Sequence, residues 1–261
     1  MNILDKIVAD KRKEVDLKKS LIPVPQLEGS VLMERTSVSL ATVLRKSGSG
    51  IIAEHKRRSP SKSVINQNLN LQDVAMGYAD AGVCGMSVLT DGKYFGGSLD
   101  DLVLARAAVN IPLLRKEFII DEYQIVEAKA YGADVILLIA AILSKDEIKQ
   151  YSELAKSLGL DVLLEVHNEE ELHKSIMPSL DMLGVNNRNL KTFEVSLETS
   201  KSLSTQIPDD FVKVSESGIS SVEAIQDLMT YGYQGFLIGE NFMKTDDPGA
   251  NAKLFIDELN K

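Results

Sequence analysis

The sequence has no tryptophan, one cysteine (Cys84), three histidines and no long uninterrupted apolar run. A single cysteine excludes an internal disulfide framework and a cysteine-only zinc cluster. Three histidines are too few for a multi-histidine metal centre. No stretch approaches the roughly 20 apolar residues of a membrane span. The opening segment, MNILDKIVADKRKEVDLKKS, alternates apolar and charged residues and so lacks the apolar core of a secretory signal. The expected location is the cytoplasm. An excess of cations is also missing. Lys and Arg number 29 against 38 Asp and Glu, a net charge of −9, which argues against broad binding to nucleic acid or a membrane surface.

What is present is ordinary for a globular protein: 261 residues, 44% hydrophobic and 26% charged. Ile3, Leu4, Ile7, Val8, Val15 and Leu17 recur near helical spacing and predict a helix over 1–20, ended by Pro23 and Pro25. A short helix is predicted over 38–47, before the Gly48-Ser49-Gly50 turn. After it, short Ile/Val/Leu runs alternate with longer amphipathic segments. The runs are 51–56, 85–90, 112–116, 134–139, 162–166, 182–186, 212–216 and 235–239. The helical segments fall near 71–82, 98–108, 122–131, 145–158, 168–177, 196–206, 220–231 and 248–259. Strands alternating with helices imply parallel pairing and right-handed crossovers. Eight such units predict a closed (β/α)₈ barrel, one domain over 1–261 with a helical extension over 1–48. An open doubly wound sheet would need a glycine-rich phosphate turn after an early strand. The first strand is followed instead by Lys56-Arg57-Arg58-Ser59-Pro60-Ser61-Lys62.

In such a barrel the site lies at the C-terminal ends of the strands. Residues two apart on a strand share a face. Glu54 and Lys56, Lys116, Glu165, Asn186 and Arg188, and Glu216 would then meet at the mouth. Taken singly, a charged strand end is usually just solvated. Seven together, several set directly against apolar strand cores, suit acid–base chemistry on an anionic substrate. His55 would point toward the helix layer. Ser217-Gly218-Ile219 and Ile238-Gly239-Glu240-Asn241 follow the last two strands, where barrels often bind phosphate through backbone N–H groups. Only the backbone of Glu240 would then face an anion. The run Lys56–Lys62 holds four cations in seven residues and would supply a local positive patch.

These segments carry a resemblance. Ile51-Ile52-Ala53-Glu54-His55-Lys56-Arg57-Arg58-Ser59-Pro60-Ser61 resembles the signature of indole-3-glycerol phosphate synthase, a (β/α)₈ enzyme family of tryptophan biosynthesis. Leu89–Ser98, Leu114–Ile119, Leu164–His167, Gly184–Leu190, Val214–Ile219 and Leu237–Glu240 match further family segments in order. The resemblance implies ring closure, decarboxylation and dehydration of 1-(2-carboxyphenylamino)-1-deoxyribulose 5-phosphate, with no cofactor. It implies Lys116 as the principal general acid of ring closure and Glu165 as the acid–base group of dehydration. Lys56 would contact the phosphate or carboxylate and could share the acid role. Glu54 and Asn186 would orient the lysines and hold the amine and hydroxyls. Arg188 would fix the carboxylate end, and Glu216 and Ser217 would line the sugar-phosphate side. Ser217, Gly218, Gly239 and Glu240 would supply phosphate contacts. Ser59 belongs to the substrate-binding loop after the first strand. Phe95, Phe118, Pro60 and Leu190 would form a slot for the aromatic ring.

His55 stands where the family usually has an apolar residue, and Ser63 where it often has glycine. The expected partner is a small substrate carrying phosphate and carboxylate, with no nucleic acid or membrane. No fused second enzyme is expected, and weak association with other tryptophan-pathway enzymes is left open. A phosphoribosylanthranilate isomerase-like barrel, a Schiff-base aldolase using Lys116 and a non-catalytic phosphate-binding barrel are the alternatives.

Overall fold

The computed structural model describes residues 3–60, 62–190 and 192–261; Ser61, part of the strand-one signature, lies outside them. Three helices precede the first strand: α1 (Ile3–Leu21), α2 (Val24–Glu28) and α3 (Leu40–Lys46). Alternation then begins with β1 (Ile51–His55), α4 (Leu71–Ala81), β2 (Gly85–Leu89), α5 (Gly92–Phe95) and α6 (Leu99–Ala108). Next come β3 (Leu113–Lys116), α7 (Glu122–Ala130), β4 (Val135–Ile139), α8 (Lys145–Ser157), β5 (Asp161–Val166) and α9 (Glu169–Ser175). The chain finishes with β6 (Met182–Asn186), α10 (Glu198–Leu203), β7 (Val212–Glu216), α11 (Val222–Thr230), β8 (Tyr233–Ile238), α12 (Glu240–Met243) and α13 (Pro248–Leu259). The eight strands close in sequence order, and β1 pairs β8 in parallel, so the (β/α)₈ barrel is the observed fold.

The continuous apolar runs are strands buried on both faces. Alternation sorts their side chains. Ile52, Leu114, Leu137, Leu163, Met182, Val214 and Leu237 pack together in the barrel interior. Their neighbours Ile51, Leu113, Ile136, Leu138, Leu164 and Phe236 join the cluster that includes the surrounding helices.

The extension spans the barrel from mouth to floor. Ile3, Leu4 and Ile7 of α1 reach the cavity at the mouth. Farther along, Asp134 and Asp161, at the N-terminal ends of β4 and β5, anchor the segment before α3. Asp134 accepts from the Val38 N–H at 2.7 Å and from Arg106 at 2.8 Å, and also pairs with Arg35. Asp161 accepts from Ser39 Oγ at 2.9 Å and the Ala41 N–H at 3.0 Å.

Several local expectations change. Pro23 does end α1, but Pro25 sits in the first turn of α2. Proline is tolerated there because that N–H has no intrahelical partner. β8 starts at Tyr233 rather than 235, because an irregularity between Lys213 and Val214 lets it pair earlier with β7. The segment over 196–206 divides into α10 and a 3₁₀ turn at Ser204–Gln206. Among the described residues, no helix is long and apolar enough to cross a membrane.

Candidate active site

Continuing the inward row of each strand reaches the mouth. Past Ile52 come Glu54 and Lys56, past Leu114 comes Lys116, and past Leu163 comes Glu165. Asn186 and Glu216 follow Met182 and Val214 in the same way. All of them line one cavity of about 400 Å³, together with Arg188, Ser59, Pro60, Phe95, Phe118, Leu190, Ser217, Gly218, Gly239 and Glu240. Every residue expected to act on or bind the substrate therefore borders the same space.

The cavity is organised around two ammoniums. Lys56 Nζ donates to Glu54 Oε1 at 2.7 Å, and Ser87 Oγ donates to Glu54 Oε2 at 3.1 Å. Lys116 Nζ donates to Glu165 Oε2 at 3.2 Å and makes a short contact with Glu216 Oε2. Burial alone would discharge Lys116, but Glu216, Glu165 and Glu54 outweigh it and hold the ammonium above its ordinary range. Burial also opposes charge on Glu165, yet Lys116, His167 and Asn186 pull it below the usual carboxylate range. Glu216 goes the other way. Burial, with repulsion from Glu165 and Glu54, outweighs the attraction of Lys116 and raises it. Two carboxylates on one ammonium are thus pushed apart, as an acid–base pair requires.

Two glycines make room for this set. A Cβ on Gly184 would lie 2.5 Å from Glu216 Oε1, and one on Gly239 would lie 2.7 Å from Glu54 Oε1. Gly239, expected to open the backbone to phosphate, therefore has a second reason to be glycine.

The apolar side is built from Phe95 and Phe118, whose rings lie 5.9 Å apart at 41°, beside Pro60 and Leu190. Ile3, Leu4, Ile7, Leu137 and Phe193 add to it. Sequence reasoning missed these. Periodicity marks the apolar stripe of α1 but not where that stripe docks. Phe193 lies in a loop, in the left-handed region at φ 62°, and carries no periodic signal. Across the cavity, Ser217 (φ 69°) and Gly218 (φ 79°) turn the chain through consecutive left-handed residues after β7. Lys244 and Asn241, just beyond β8, also border this end.

The expected positive patch needs correction. Of the run Lys56–Lys62, Arg57 pairs with Asp101 at 2.8 Å and Arg58 donates to the Gly92 carbonyl at 2.6 Å. Lys62 pairs with Glu240 at 2.8 Å. Among the described residues of the run only Lys56 and the Ser59-Pro60 corner border the cavity, because the two guanidiniums tie this loop to the one after β2. Among the described lining residues the cations Lys56, Lys116, Arg188 and Lys244 face five carboxylates, Glu54, Glu117, Glu165, Glu216 and Glu240. The mouth is a segregated mixture of charge rather than a cationic funnel. His55 is buried outside the barrel interior beside Arg57 and Asp101, and burial lowers it to about 4, so it stays neutral. Among the described residues no cluster of His, Cys, Asp and Glu is arranged to hold a metal ion.

Comparison with known proteins adds the chemistry. The family model described as indole-3-glycerol phosphate synthase matches residues 4–255. An indole-3-glycerol phosphate synthase of Bacteroides thetaiotaomicron is 49% identical over 258 residues, 99% of each chain. One of Polaromonas naphthalenivorans is 42% identical, over 97% of this chain and 98% of its own. Among solved structures, 3-hexulose-6-phosphate synthase from Salmonella typhimurium superposes with a TM-score of 0.63 at 13% identity. It covers 81% of this chain and 98% of that one, a likeness of fold alone.

Proposed function

The chain belongs to the indole-3-glycerol phosphate synthase family, and from that premise we propose how its barrel mouth performs the reaction. The activity is that of a carboxy-lyase of tryptophan biosynthesis: 1-(2-carboxyphenylamino)-1-deoxyribulose 5-phosphate becomes indole-3-glycerol phosphate, CO₂ and water. The substrate is a small phosphate-bearing anion.

The observation that carries the assignment of roles is the Lys116 ammonium, buried between Glu165 and Glu216. In ring closure the ring carbon bearing the carboxylate attacks the C2 carbonyl. Lys116 donates a proton to the carbonyl oxygen as it gains charge. Loss of CO₂ returns its bonding electrons to the ring and restores aromaticity. Dehydration then needs a proton on the departing hydroxyl and a base for the ring-side proton. Glu165, held ionised, is the base. Lys56 lies on the same face as Glu54 and supports the acid role while contacting an anionic group. Glu54 orients Lys56 through the 2.7 Å bond, and Asn186 holds Glu165 and the substrate hydroxyls.

Arg188 fixes the carboxylate end. Glu216 and Ser217 line the sugar-phosphate side, and Ser217, Gly218, Gly239 and Glu240 receive the phosphate with their backbone N–H groups. Ser59 contacts the substrate from the loop after β1, and Phe95, Phe118, Pro60 and Leu190 form the slot for its aromatic ring. No cofactor is needed for these steps. We place the protein in the cytoplasm, and weak association with other tryptophan-pathway enzymes is a proposal for co-sedimentation to test.

The direct test incubates the pure protein with the carboxyphenylamino deoxyribulose phosphate and follows indole fluorescence. With no tryptophan in the chain, the background is tyrosine alone. A folded protein that gives no signal overturns the assignment.

A further inference from the structure

The residue behind Glu165 is occupied by a group that the reaction scheme leaves idle. Lys116 takes Glu165 Oε2 at 3.2 Å. The other oxygen, Oε1, lies 3.3 Å from Nε2 of His167, two residues on along the same inward row. That nitrogen is buried and makes no hydrogen bond, so its contact with Oε1 is one of charge with charge. The far side of the ring is anchored. His167 Nδ1 lies 3.1 Å from Glu171 Oε2, and the His167 backbone N–H donates to the same oxygen at 2.8 Å. Glu171 is itself fixed in the first turn of α9. Asn168, the N-cap, accepts from the Glu171 N–H at 2.9 Å and donates its own amide to Glu171 Oε1 at 2.9 Å. The result is a chain running from helix cap to Glu171, His167, Glu165 and Lys116.

We propose that His167 is a positioning residue for Glu165, clamped by Glu171 so that its imidazolium braces the carboxylate oxygen that Lys116 does not take. This rests on the assignment of Glu165 to dehydration. The side chain does not border the cavity, so it acts through Glu165 and not on substrate.

The electrostatics agree with the geometry. Burial disfavours charge on His167, yet the facing carboxylates Glu165 and Glu171 raise it to about 10. Those are the charged groups on its two ring nitrogens, one from β5 and one from α9. Glu165 in turn faces Lys116 from β3 as well as His167, with Asn186 from β6. Glu216 from β7 and Glu54 from β1 share Lys116 with it. A cation on each oxygen keeps Glu165 ionised and stops its plane from rotating. An opposite charge at this range lowers a carboxylate by about one unit or more.

The test is the pH profile of kcat/KM for the wild type, His167→Gln and Glu171→Gln, with melting temperatures beside it. The acid limb, where activity rises as Glu165 ionises, should move up by about one pH unit in His167→Gln. Below the limb that leaves the variant about tenfold less active than the wild type at the same pH. Glu171→Gln, which frees the ring without removing it, should move the limb the same way by less. If His167→Gln does not fold, Glu171→Gln carries the result. A limb left in place, with activity lowered equally at every pH, marks a merely structural histidine and overturns the proposal. Glu165→Gln separates the two assignments. If it still dehydrates, the role given to Glu165 fails. If it is inactive while both other limbs stay in place, the positioning role alone fails.

Discussion

Lys116 is a buried cation facing more carboxylate than it can neutralise, and in the proposed mechanism that excess keeps it protonated until the carbonyl oxygen gains charge. Glu216, its pKa raised by burial and by the neighbouring carboxylates, lies within reach to return the proton once it has gone. Lys116→Met removes the donor and keeps the volume. It should lower kcat by about 10²- to 10⁴-fold with little change in KM, because the lost interaction belongs to the transition state. Steady-state kinetics check this, and an unchanged kcat would remove Lys116 from the central step. Gly184→Ala is a subtler probe. Its Cβ would meet Glu216 Oε1 at 2.5 Å, so the carboxylate must move off Lys116. A misplacement of that size costs about 10²-fold in kcat, with circular dichroism expected to show the barrel intact; wild-type kcat would mean Glu216 is not held where it acts. The polar residues at the strand ends and their common face were legible in the sequence, because alternation along a strand is a local rule. The sharing of Lys116 by Glu165 and Glu216 was not, since those residues stand on strands far apart in the chain. His167 was passed over for another reason: its anchor, Glu171, is one of three consecutive glutamates opening a helix, and nothing in the sequence sets it apart from the others.

At the scale of elements, what was legible tracks how each element is stabilised. Strands buried on both faces announced themselves as apolar runs, and β6 and β7 begin and end where those runs do. The short helices α5 and α12 did not, because one turn has no periodicity and is fixed by caps such as Asp91 on the Tyr94 N–H. The docking of α1 was equally hidden. Its apolar stripe was plain, but Lys11 on that helix reads as a solvated charge and is instead 2% exposed. It lies 2.9 Å from Asp91 and 3.1 Å from Glu117, next to Lys116. The helix over the mouth is thus pinned by a buried cation to the loops after β2 and β3. Lys11→Met removes the ammonium shared by two buried carboxylates, leaving Glu117 only the more distant Arg115 as a cation and Asp91 only backbone N–H groups, and should destabilise the fold by about 3–5 kcal/mol at neutral pH, read from urea midpoints. The pH dependence has a definite sign. Burial raises Glu117, but Lys11 and Arg115 hold its folded value below the ordinary 4.5. Its contribution is full above that value and is lost as the pH falls through the lowered folded one. The gap between wild type and variant should therefore narrow as the pH drops below the ordinary carboxylate range. A gap constant from neutral to acid pH would show that Lys11 does not set the ionisation of Glu117.

For the whole molecule, the net charge of −9 is not offset by a cationic mouth, so the substrate must be recognised by placed charges rather than drawn in by a field. Placement depends on a barrel that closes without slack, and closure is decided at one seam. There β1 pairs β8 in a register of three residue pairs, Ile51 with Phe236 through Ala53 with Ile238. Outside that pairing, α4 of the first unit packs on α13 of the last. The two helices meet backbone to backbone at Gly77 and Gly249. A Cβ on Gly249 would lie 2.6 Å from Gly77 Cα, and one on Gly77 would lie 3.1 Å from Gly249 Cα. Both contacts are with main chain, which cannot swing aside as a side chain could. Gly249→Ala must therefore push α13 outward, and overpacking of this kind costs about 1–3 kcal/mol. Gly77→Ala, with more room, should cost less. Because α12 and the Gly239–Glu240 turn proposed to receive the phosphate lie between β8 and α13, the same displacement should raise KM before it lowers kcat. Urea midpoints and KM for the two variants give the order. Equal stability for Gly249→Ala and wild type would mean that the helices slide freely and that the seam does not govern the mouth.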